Sequence, residues 1–362
     1  MEYISLEKCC DILDSMRVPI TAADRSEGPY PYYGANGIQD HVADYIFDDE
    51  LVLLAEDGGN FGSKTRPIAY RVSGKCWVNN HAHVLRPNID TDVDYLCYSL
   101  MFYNTEELVN GATRQKLTQA AMRKMLIPQR SLQEQKCIVA KLNQVRAIIS
   151  VRRQQLQKLD ELVKARFVEM FGDCKNMLSM SELCTFITDG THQPPRFQES
   201  GIPFIFVSNL ANNMVTYNTE KFISEETYDE LYKRTPIEYG DLLLSTVGSY
   251  GHPAVVTGDK KFLFQRHIAY MKPKHSIVNS FYLHSALLTS DAQQQIEEKV
   301  KGIAQKTLNL SEIRKILIPL PPLEEQNEFE RLVKQTDKSK AAIQKALDEA
   351  QLLFDSLMQK YF

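Results

Sequence analysis

The sequence predicts an α+β protein in which two strand-rich, mixed globular domains are separated by two long helices. The helices are predicted to pair as an antiparallel coiled coil, and the two halves to be related by an approximate two-fold axis. Three observations predict this fold: an internal repeat, a helix-forming segment after each copy of the repeat, and apolar residues at seven-residue spacing within both segments. The predicted boundaries are 1–130 for the first domain, 131–172 for the first helix, 173–321 for the second domain and 322–362 for the second helix.

The repeat shows that the chain contains two units of one design. Gly111–Gln135 aligns without gaps with Gly302–Gln326 at a shift of 191 residues. Each copy contains Leu-Ile-Pro and ends in Glu-Gln, and the same shift places Phe171 on Phe362. The order is therefore a globular part and a helix, followed by a second globular part and a second helix.

The segment after each Leu-Ile-Pro motif is predicted to be one long helix. Residues 132–171 and 323–362 contain neither glycine nor proline, and both are rich in Gln, Glu, Lys, Ala and Leu, which favour helices. Prolines lie just before each start, where they are tolerated, and Gly172 ends the first helix. At 1.5 Å per residue, a helix of this length extends for about 60 Å.

Each predicted helix carries one apolar stripe that its own sequence does not cover. The side chains predicted to pack between the two helices are Leu142, Ile149, Leu156, Val163, Val333, Ile343, Leu347 and Phe354. The first helix leads into the second domain, so the second must run back to lie beside it, and the predicted pairing is antiparallel. In the alternative interpretation each helix packs on its own domain, but the sustained heptad spacing favours pairing.

The two globular parts, residues 1–125 and 176–315, are predicted to be rich in strands. Short apolar runs such as Leu51–Ala55 and Ile202–Val207 are bounded by Gly, Asp and Asn, which is typical of strands and turns. Each part is predicted to close with a helix, over 94–109 in the first and 281–300 in the second. The two parts are alike in plan and differ in detail, which indicates two related binding tasks with different targets.

Composition excludes several classes of protein. The 362 residues are 43% hydrophobic and 24% charged, which is a globular balance, and the net charge of −4 excludes a uniformly basic nucleic-acid-binding surface. Only residues 131–175 are clearly basic, with nine Lys and Arg against five Asp and Glu. Seven scattered cysteines without a Cys-x-x-Cys pair predict reduced thiols and a cytoplasmic location. No stretch approaches the ~20 apolar residues of a membrane span, and the charged N-terminus does not resemble a secretory signal.

The sequence offers no convincing catalytic or metal site. His81 and His83 would share a face of a strand and could form half of a metal site, but no third ligand lies near them in sequence. The segment 248–251 is not a Gly-x-Ser-x-Gly nucleophile elbow. The glycine-rich segment 57–62 fits neither a dinucleotide fingerprint nor a phosphate loop. We therefore predict no catalytic residue and no metal ligand.

Polar, glycine-containing loops are the better candidates for function. Side chains at loop tips can contact base edges and phosphates, and neighbouring glycines allow a close approach to a strand of nucleic acid. Selected by loop position and side-chain type, the candidate DNA-binding residues of the first part are Tyr32, Asn36, Asn60, Ser63, Lys64, Arg66, Asn80 and His81. Those of the second part are Thr191, His192, Gln193, Arg196, Asn209, Ser249, Tyr250, His252 and Arg266.

The whole arrangement resembles the DNA-specificity (S) subunit of type I restriction–modification systems. The resemblance covers nearly the whole chain and rests on two dissimilar globular parts, each followed by Leu-Ile-Pro, Leu-x-Glu-Gln and a long helix. Residues 32–38 and 77–85 resemble motifs of first target-recognition domains, and residues 189–192 and 240–245 resemble motifs of second ones.

The resemblance implies a non-catalytic subunit that reads double-stranded DNA. Each target-recognition domain would bind one half of a bipartite, asymmetric sequence, and the helices would set the gap between the halves. Two methyltransferase (M) subunits would dock on this chain, flip an adenine in each half-site and methylate it. Their S-adenosylmethionine would be the cofactor, with none in this chain, and restriction (R) subunits are a further partner of such complexes.

The net charge of the two globular parts departs from that of the simplest DNA-binding protein. Residues 1–130 carry 13 Lys and Arg against 18 Asp and Glu, and residues 176–322 carry 14 against 15, whereas a stand-alone DNA-binding domain is basic. We therefore expect the methyltransferase subunits to supply much of the phosphate contact. The alternatives are a coiled-coil scaffold without a DNA role and, less favoured, an enzyme of an unrecognised type.

Overall fold

The computed structural model describes residues 2–111, 115–302 and 306–362. The chain divides into two compact units. Unit 1 contains Met1–Arg153 together with Lys345–Phe362, and unit 2 contains Gln154–Gln344. Both long helices contribute residues to both units, so this division falls inside the helices and not at the predicted domain boundaries. Within the described residues, no helix is both long and apolar enough to cross a membrane.

The strands of unit 1 are β1 (Tyr3–Ser5), β2 (Cys10–Ile12), β3 (Tyr30–Gly34), β4 (Gly37–Val42), β5 (Phe47–Ala55), β6 (Ala69–Val78), β7 (Ala82–Pro87), β8 (Val109–Asn110), β9 (Lys116–Leu117) and β10 (Leu126–Pro128). Six of them form the main sheet, in the order β2-β7-β5-β6-β3-β4. The helices of unit 1 are α1 (Val93–Met101), α2 (Gln119–Arg123) and the first part of α3 (Leu132–Phe171). The apolar run Leu51–Ala55 is fully buried in β5, at the centre of the sheet. Successive side chains of a strand point to opposite faces of the sheet, and here both faces are buried. A continuous apolar run therefore predicted this strand.

The strands of unit 2 are β11 (Met177–Ser179), β12 (Cys184–Asp189), β13 (Ile202–Ile205), β14 (Phe222–Ile223), β15 (Leu242–Ser245), β16 (Pro253–Val255), β17 (Leu263–Phe264), β18 (Ile268–Pro273) and β19 (Leu317–Pro319). They include a four-stranded sheet of order β12-β18-β15-β16 and a three-stranded sheet of order β14-β13-β17. The helices of unit 2 are α4 (Met180–Leu183), α5 (Glu225–Tyr232), α6 (Ser280–Leu287), α7 (Ser290–Lys299), α8 (Leu310–Ile313) and α9 (Leu323–Tyr361), which ends in unit 1.

The Leu-Ile-Pro motif forms the same two-stranded ribbon in both units. In unit 1 it is β10 and pairs antiparallel with β1, with Tyr3 opposite Pro128. In unit 2 it is β19 and pairs antiparallel with β11 in the same register, with Met177 opposite Pro319. The repeat found in the sequence is therefore a repeat of structure.

The long helices α3 and α9 pack against each other in each unit. In unit 1, Leu142 and Ile149 from the first half of α3 share an apolar cluster with Phe354 near the end of α9. In unit 2, Phe167 near the end of α3 contacts Phe329 near the start of α9, with 5.5 Å between ring centroids. The start of one helix therefore lies beside the end of the other, and the predicted antiparallel pairing is confirmed.

The predicted seam residues are not equally buried. Leu142, Ile149, Val333 and Phe354 are buried, and Val163 and Leu347 are partly buried against the same clusters. Leu156 and Ile343 are half-exposed. The seam is polar near them, because Thr336 is buried there and the Lys340 ammonium lies 2.5 Å from a carboxylate oxygen of Asp160.

The end of each long helix also packs on the globular part of the other repeat, whereas the alternative interpretation placed each helix on its own domain. Phe354 of α9 contacts Tyr98 of α1, with 6.2 Å between ring centroids, and Phe167 of α3 stacks on Tyr282 of α6 at 5.4 Å. Each long helix therefore contacts both its partner helix and a globular part, because different faces of one helix can pack on different neighbours.

The predicted closing helices are shorter than expected. The helix predicted over 94–109 ends at Met101, and the Asn104 side chain accepts a hydrogen bond from the Glu106 amide in the turn that follows. The helix predicted over 281–300 is two helices, α6 and α7. Thr289 caps α7 by accepting a hydrogen bond from the Ala292 amide, and such a cap starts a new helix.

Candidate nucleic-acid interface

Three predicted loops of unit 1 are joined to one another by hydrogen bonds. The Asn36 side chain donates a hydrogen bond of 3.0 Å to the carbonyl oxygen of Gly58, which joins the β3–β4 turn to the loop after β5. The Nδ1 atom of His81 lies 2.7 Å from a carboxylate oxygen of Asp57, and the Glu56 amide donates to the His81 carbonyl oxygen at 2.9 Å. The β6–β7 turn, where Asn80 is exposed, therefore joins the same group.

Within the loop after β5, two of the predicted residues shape the backbone and two project from it. Ser63 Oγ accepts hydrogen bonds from the amides of Thr65 at 3.3 Å and Arg66 at 2.9 Å, and Asn60 is half-buried. The side chains of Lys64 and Arg66 are exposed. This loop thus presents two cations on a hydrogen-bonded turn, as a phosphate contact requires.

A buried polar network lies beside these loops. His83 lies between the Asp14 carboxylate, 2.6 Å from its Nδ1 atom, and the Leu117 carbonyl oxygen, 2.9 Å from its Nε2 atom. Burial raises the pKa of Asp14, but the hydrogen bond and electrostatic attraction of the His83 ring, together with hydrogen bonds from the Val84 amide and the Gln119 side chain, outweigh it and hold that pKa below its usual range. His81 bonds to Asp57 instead, so the two histidines face different carboxylates and do not form the half-site considered from the sequence.

The same network does not favour a metal ion. The carboxylates of Asp14 and Glu56 and the ring of His83 offer ligand atoms within 4.8 Å of one another. However, both ring nitrogens of His83 are already bonded. Arg17 and Lys116 also lie 2.6 Å and 3.0 Å from the Glu56 carboxylate oxygens. These side-chain cations compensate the charge that a metal ion would otherwise neutralise, so the group is a structural network.

In unit 2, the loop after β12 is held by ionic contacts of Asp189. Its carboxylate oxygens lie 2.8 Å from the Nε2 atom of His192 and 3.4 Å from the guanidinium of Arg234. His192, Gln193 and Arg196 are exposed in this loop. Three predicted residues are therefore available on one surface loop.

Backbone hydrogen bonds bring two further segments of unit 2 beside that loop. The Arg266 amide donates to the Thr191 carbonyl oxygen at 3.0 Å, and the Thr246 amide donates to the His267 carbonyl oxygen at 3.0 Å. Burial, together with the neighbouring Arg266 guanidinium, lowers the pKa of His267. Its ring is therefore neutral at neutral pH, and the exposed cation at this point is Arg266.

The loop after β15 carries the remaining predicted residues. Ser249 is exposed, and the Tyr250 hydroxyl hydrogen-bonds to the Glu297 carboxylate. Lys306 lies 2.7 Å from the same carboxylate. His252 is half-buried, with its Nδ1 atom 3.1 Å from the side-chain oxygen of Asn213.

A family model for the type I restriction modification DNA specificity domain matches residues 1–161 and 177–351, which is well over half of the chain. The chain belongs to this family. It is a specificity subunit, the non-catalytic component that recognises DNA.

Individual relatives agree with the family match. A Haemophilus influenzae chain named as a type I restriction enzyme specificity subunit is 27% identical over 375 residues, covering 100% of this chain and 93% of that one. The Escherichia coli type I restriction enzyme EcoBI specificity subunit is 25% identical, covering 70% of this chain and 61% of that one. The crystal structure of a type I restriction-modification S subunit from M. genitalium matches at a TM-score of 0.62 and 13% identity, covering 100% of this chain and 96% of that one. The last match shows a shared fold.

Two of the residues predicted to contact DNA are core residues of this specificity subunit. Tyr32 is 1% exposed, and its hydroxyl bonds to the backbone of Ile20. Asn209 is 5% exposed, and its side chain accepts from the Phe206 amide and donates to the Asn218 carbonyl oxygen. Both predictions were wrong, because polar groups that fold inwards must find partners and these two side chains have theirs within the protein.

We expect Asn209→Ala to lower the free energy of unfolding by about 1–3 kcal/mol, because it removes the hydrogen bonds that this buried side chain makes with the Phe206 amide and the Asn218 carbonyl oxygen. Urea denaturation of the full chain measures this. Asn212→Ala is the matched control, since Asn212 is exposed in the neighbouring turn, and we expect it to change the value by less than about 0.5 kcal/mol. Equal effects of the two substitutions would contradict the structural role of Asn209.

Two cations outside the predicted set lie beside predicted residues in the folded protein. Arg234 follows α5 and reaches Asp189, and Lys306 reaches Glu297 beside Tyr250. Arg234 is 45 residues from Asp189 and Lys306 is 56 residues from Tyr250, so no local motif connects them. The only signal was the charge of the Lys233–Arg234 pair directly after a helix.

Proposed function

We propose that this specificity subunit reads a bipartite, asymmetric sequence in double-stranded DNA. The loops of unit 1 around Gly58 read one half-site, and the loops of unit 2 around Asp189 and Arg266 read the other. The long helices α3 and α9 set the gap between the half-sites, because a rigid body that joins two reading elements fixes their spacing.

One observation carries this proposal: the same framework is present twice, with different loops. The ribbons β1–β10 and β11–β19 have the same register, whereas the polar loops of the two units differ in sequence and in their contacts. A duplicated support with two different sets of exposed polar side chains suits the recognition of two different short sequences.

The exposed cations indicate how DNA would be held. Lys64, Arg66, Arg196 and Arg266 are exposed on the predicted loops and are suited to phosphates or to guanine edges. They are few, and the globular parts have a net negative charge, so the subunit alone is expected to bind DNA weakly.

The partners in this proposal supply the chemistry and the remaining phosphate contacts. Two methyltransferase subunits assemble with this chain, flip one adenine in each half-site and transfer a methyl group from S-adenosylmethionine that they bind. Restriction subunits join the same assembly. The specificity subunit determines the DNA sequence at which both reactions are directed and the position of the partner subunits on it.

The exchange of one recognition part tests the proposal. Residues 176–315 are replaced by the corresponding part of another specificity subunit, and the chimaera is co-expressed with the methyltransferase subunits. We expect methylation mapping to show one changed half-site, with the other half-site and the gap retained. A change in both half-sites, or an unchanged target, would contradict the division of reading between the two parts. The absence of sequence-dependent methylation by the unmodified complex would favour a scaffold without a DNA role.

A further inference from the structure

Each copy of the Glu-Gln motif places a buried glutamine where a long helix leaves its globular part. In unit 1, Gln135 is 5% exposed and makes three hydrogen bonds. Its side-chain oxygen accepts from the Asp92 amide at 2.8 Å, and its side-chain nitrogen donates to the carbonyl oxygens of Asp90 and Arg130, both at 3.0 Å. Gln135 thus connects the start of α3 with the start of α1.

The second copy repeats these bonds atom for atom. In unit 2, Gln326 is fully buried, and its side-chain oxygen accepts from the Asn279 amide at 2.8 Å. Its nitrogen donates to the carbonyl oxygens of Ile277 at 3.1 Å and Pro321 at 2.8 Å. Asn279 caps α6 as Asp92 caps α1, so each glutamine holds the first turn of the corresponding domain helix.

A tyrosine from the same domain helix strengthens each connection. The Tyr95 hydroxyl donates to the Pro128 carbonyl oxygen at 2.8 Å, and the Tyr282 hydroxyl donates to the Pro319 carbonyl oxygen at 2.6 Å. These prolines end the Leu-Ile-Pro strands β10 and β19. Strand, domain helix and long helix are therefore joined at one point in each unit.

Local helix capping does not explain why the glutamine occurs in both copies. In the first copy, Ser131 and Glu134 form a capping interaction, with Ser131 Oγ 2.6 Å from the Glu134 carboxylate. The second copy has Pro322 at the position of Ser131 and lacks that hydroxyl. The cap thus differs between the two copies, whereas the bonds of Gln135 and Gln326 to the domain helices are the same.

The three bonds of each glutamine join two parts of the chain that are distant in sequence, the start of the domain helix and the residue just before the long helix. A buried amide whose donors and acceptor are all satisfied specifies one arrangement, because any other arrangement leaves polar groups unpaired in the interior. The orientation of each domain helix relative to its long helix is thereby fixed.

We propose that Gln135 and Gln326 are positioning residues that hold each recognition part at one orientation on its long helix, and that they thereby limit the gaps that the complex accepts. The inference rests on the proposed function, in which the helices set the gap. A stiff helix gives a fixed spacing only if its attachment to the reading loops is also stiff.

The test uses the full complex with its methyltransferase subunits. Three DNA substrates carry the mapped half-sites, with the native gap, a gap one base pair shorter and a gap one base pair longer. Gln135→Met and Gln326→Met keep the side-chain volume and remove all three bonds. We expect the ratio of methylation rates, native gap over shifted gap, to fall by about tenfold in each variant, on the order of one lost hydrogen bond of average strength. The half-site bases should not change.

The controls separate positioning from stability. Gln133→Met and Gln335→Met alter exposed glutamines of α3 and α9 and should leave the ratio unchanged. Tyr95→Phe and Tyr282→Phe remove only a hydroxyl and should lower the ratio to a smaller extent, which keeps the test decisive if the methionine variants fail to fold.

Three outcomes are distinguishable. A lower ratio in the glutamine or tyrosine variants, with unchanged controls, supports the inference. An equal loss of rate on all three substrates, or no change, overturns it while leaving the proposed function standing. A wild-type complex that shows no preferred gap overturns the proposed function itself, and the inference with it.

Discussion

Deletion of residues 151–157 from α3 together with residues 342–348 from α9 should shorten the gap of the methylated sequence by about three base pairs. Seven helical residues span about 10 Å, and base pairs of B-DNA rise by about 3.4 Å. Removing a whole heptad from each helix preserves the spacing of the apolar stripe. The deleted segments lie between Ile149 and Asp160 on one helix and between Lys340 and Ala350 on the other, so the fully buried side chains of the apolar clusters and the ion pair are kept. Of the seam residues, the deletions remove only the partly exposed Leu156, Ile343 and Leu347.

Methylation mapping of the variant complex measures this expectation. The rate should also fall, since shortening the gap by three base pairs turns the half-sites by about 100° around the DNA axis, at about 10.5 base pairs per turn. Deletion of residues 151–157 alone is the control. This single deletion makes α3 a heptad shorter while α9 keeps its length, so the apolar stripes of the two helices no longer align. It should abolish methylation without producing a new gap. Altered half-site bases in the double deletion, or a retained gap, would show that the helices do not set the spacing.

Phe329→Ala should lower the free energy of unfolding of the chain by about 3–5 kcal/mol, the usual cost of emptying the site of a buried phenylalanine. Phe329 is fully buried in unit 2. Its ring lies 5.5 Å and 5.6 Å, between centroids, from the rings of Phe167 and Phe171 at the end of α3. The substitution therefore removes the aromatic centre of the helix pairing in this unit.

Urea denaturation of the full chain provides the measurement, and Leu352→Ala is the matched control. Leu352 lies on the same helix α9 but is 72% exposed, so its truncation should change the free energy of unfolding by less than about 0.5 kcal/mol. A cost below about 1 kcal/mol for Phe329→Ala would contradict the packing of α3 against α9 in unit 2.

The sequence predicted the parts of the fold that depend on periodicity. Long segments without glycine or proline predicted α3 and α9, and heptad spacing identified Leu142 and Phe354 as buried seam residues. The heptad spacing overestimated the burial of Leu156 and Ile343, because the polar residues that interrupt the apolar stripe keep the helix surfaces near them in contact with solvent. The Thr289 cap that divides the predicted helix over 281–300 was visible as a Thr-Ser-Asp sequence, which is typical of a helix start.

The candidate site was less predictable because it depends on which loops meet. Loop position suggested Tyr32 and Asn209, but alternation along β3 turns Tyr32 inwards and the side chain of Asn209 closes a turn. The repeat identified Gln135 and Gln326 without explaining them. Their partners are backbone groups that only the folded chain brings near.

Mapping of methylated adenines in DNA exposed to the wild-type complex tests whether two separated half-sites are read. We expect one methylated adenine in each half of a bipartite, asymmetric sequence, with a single fixed number of unspecified base pairs between the halves. Methylation of one uninterrupted sequence, or of half-sites at variable separations, would contradict it.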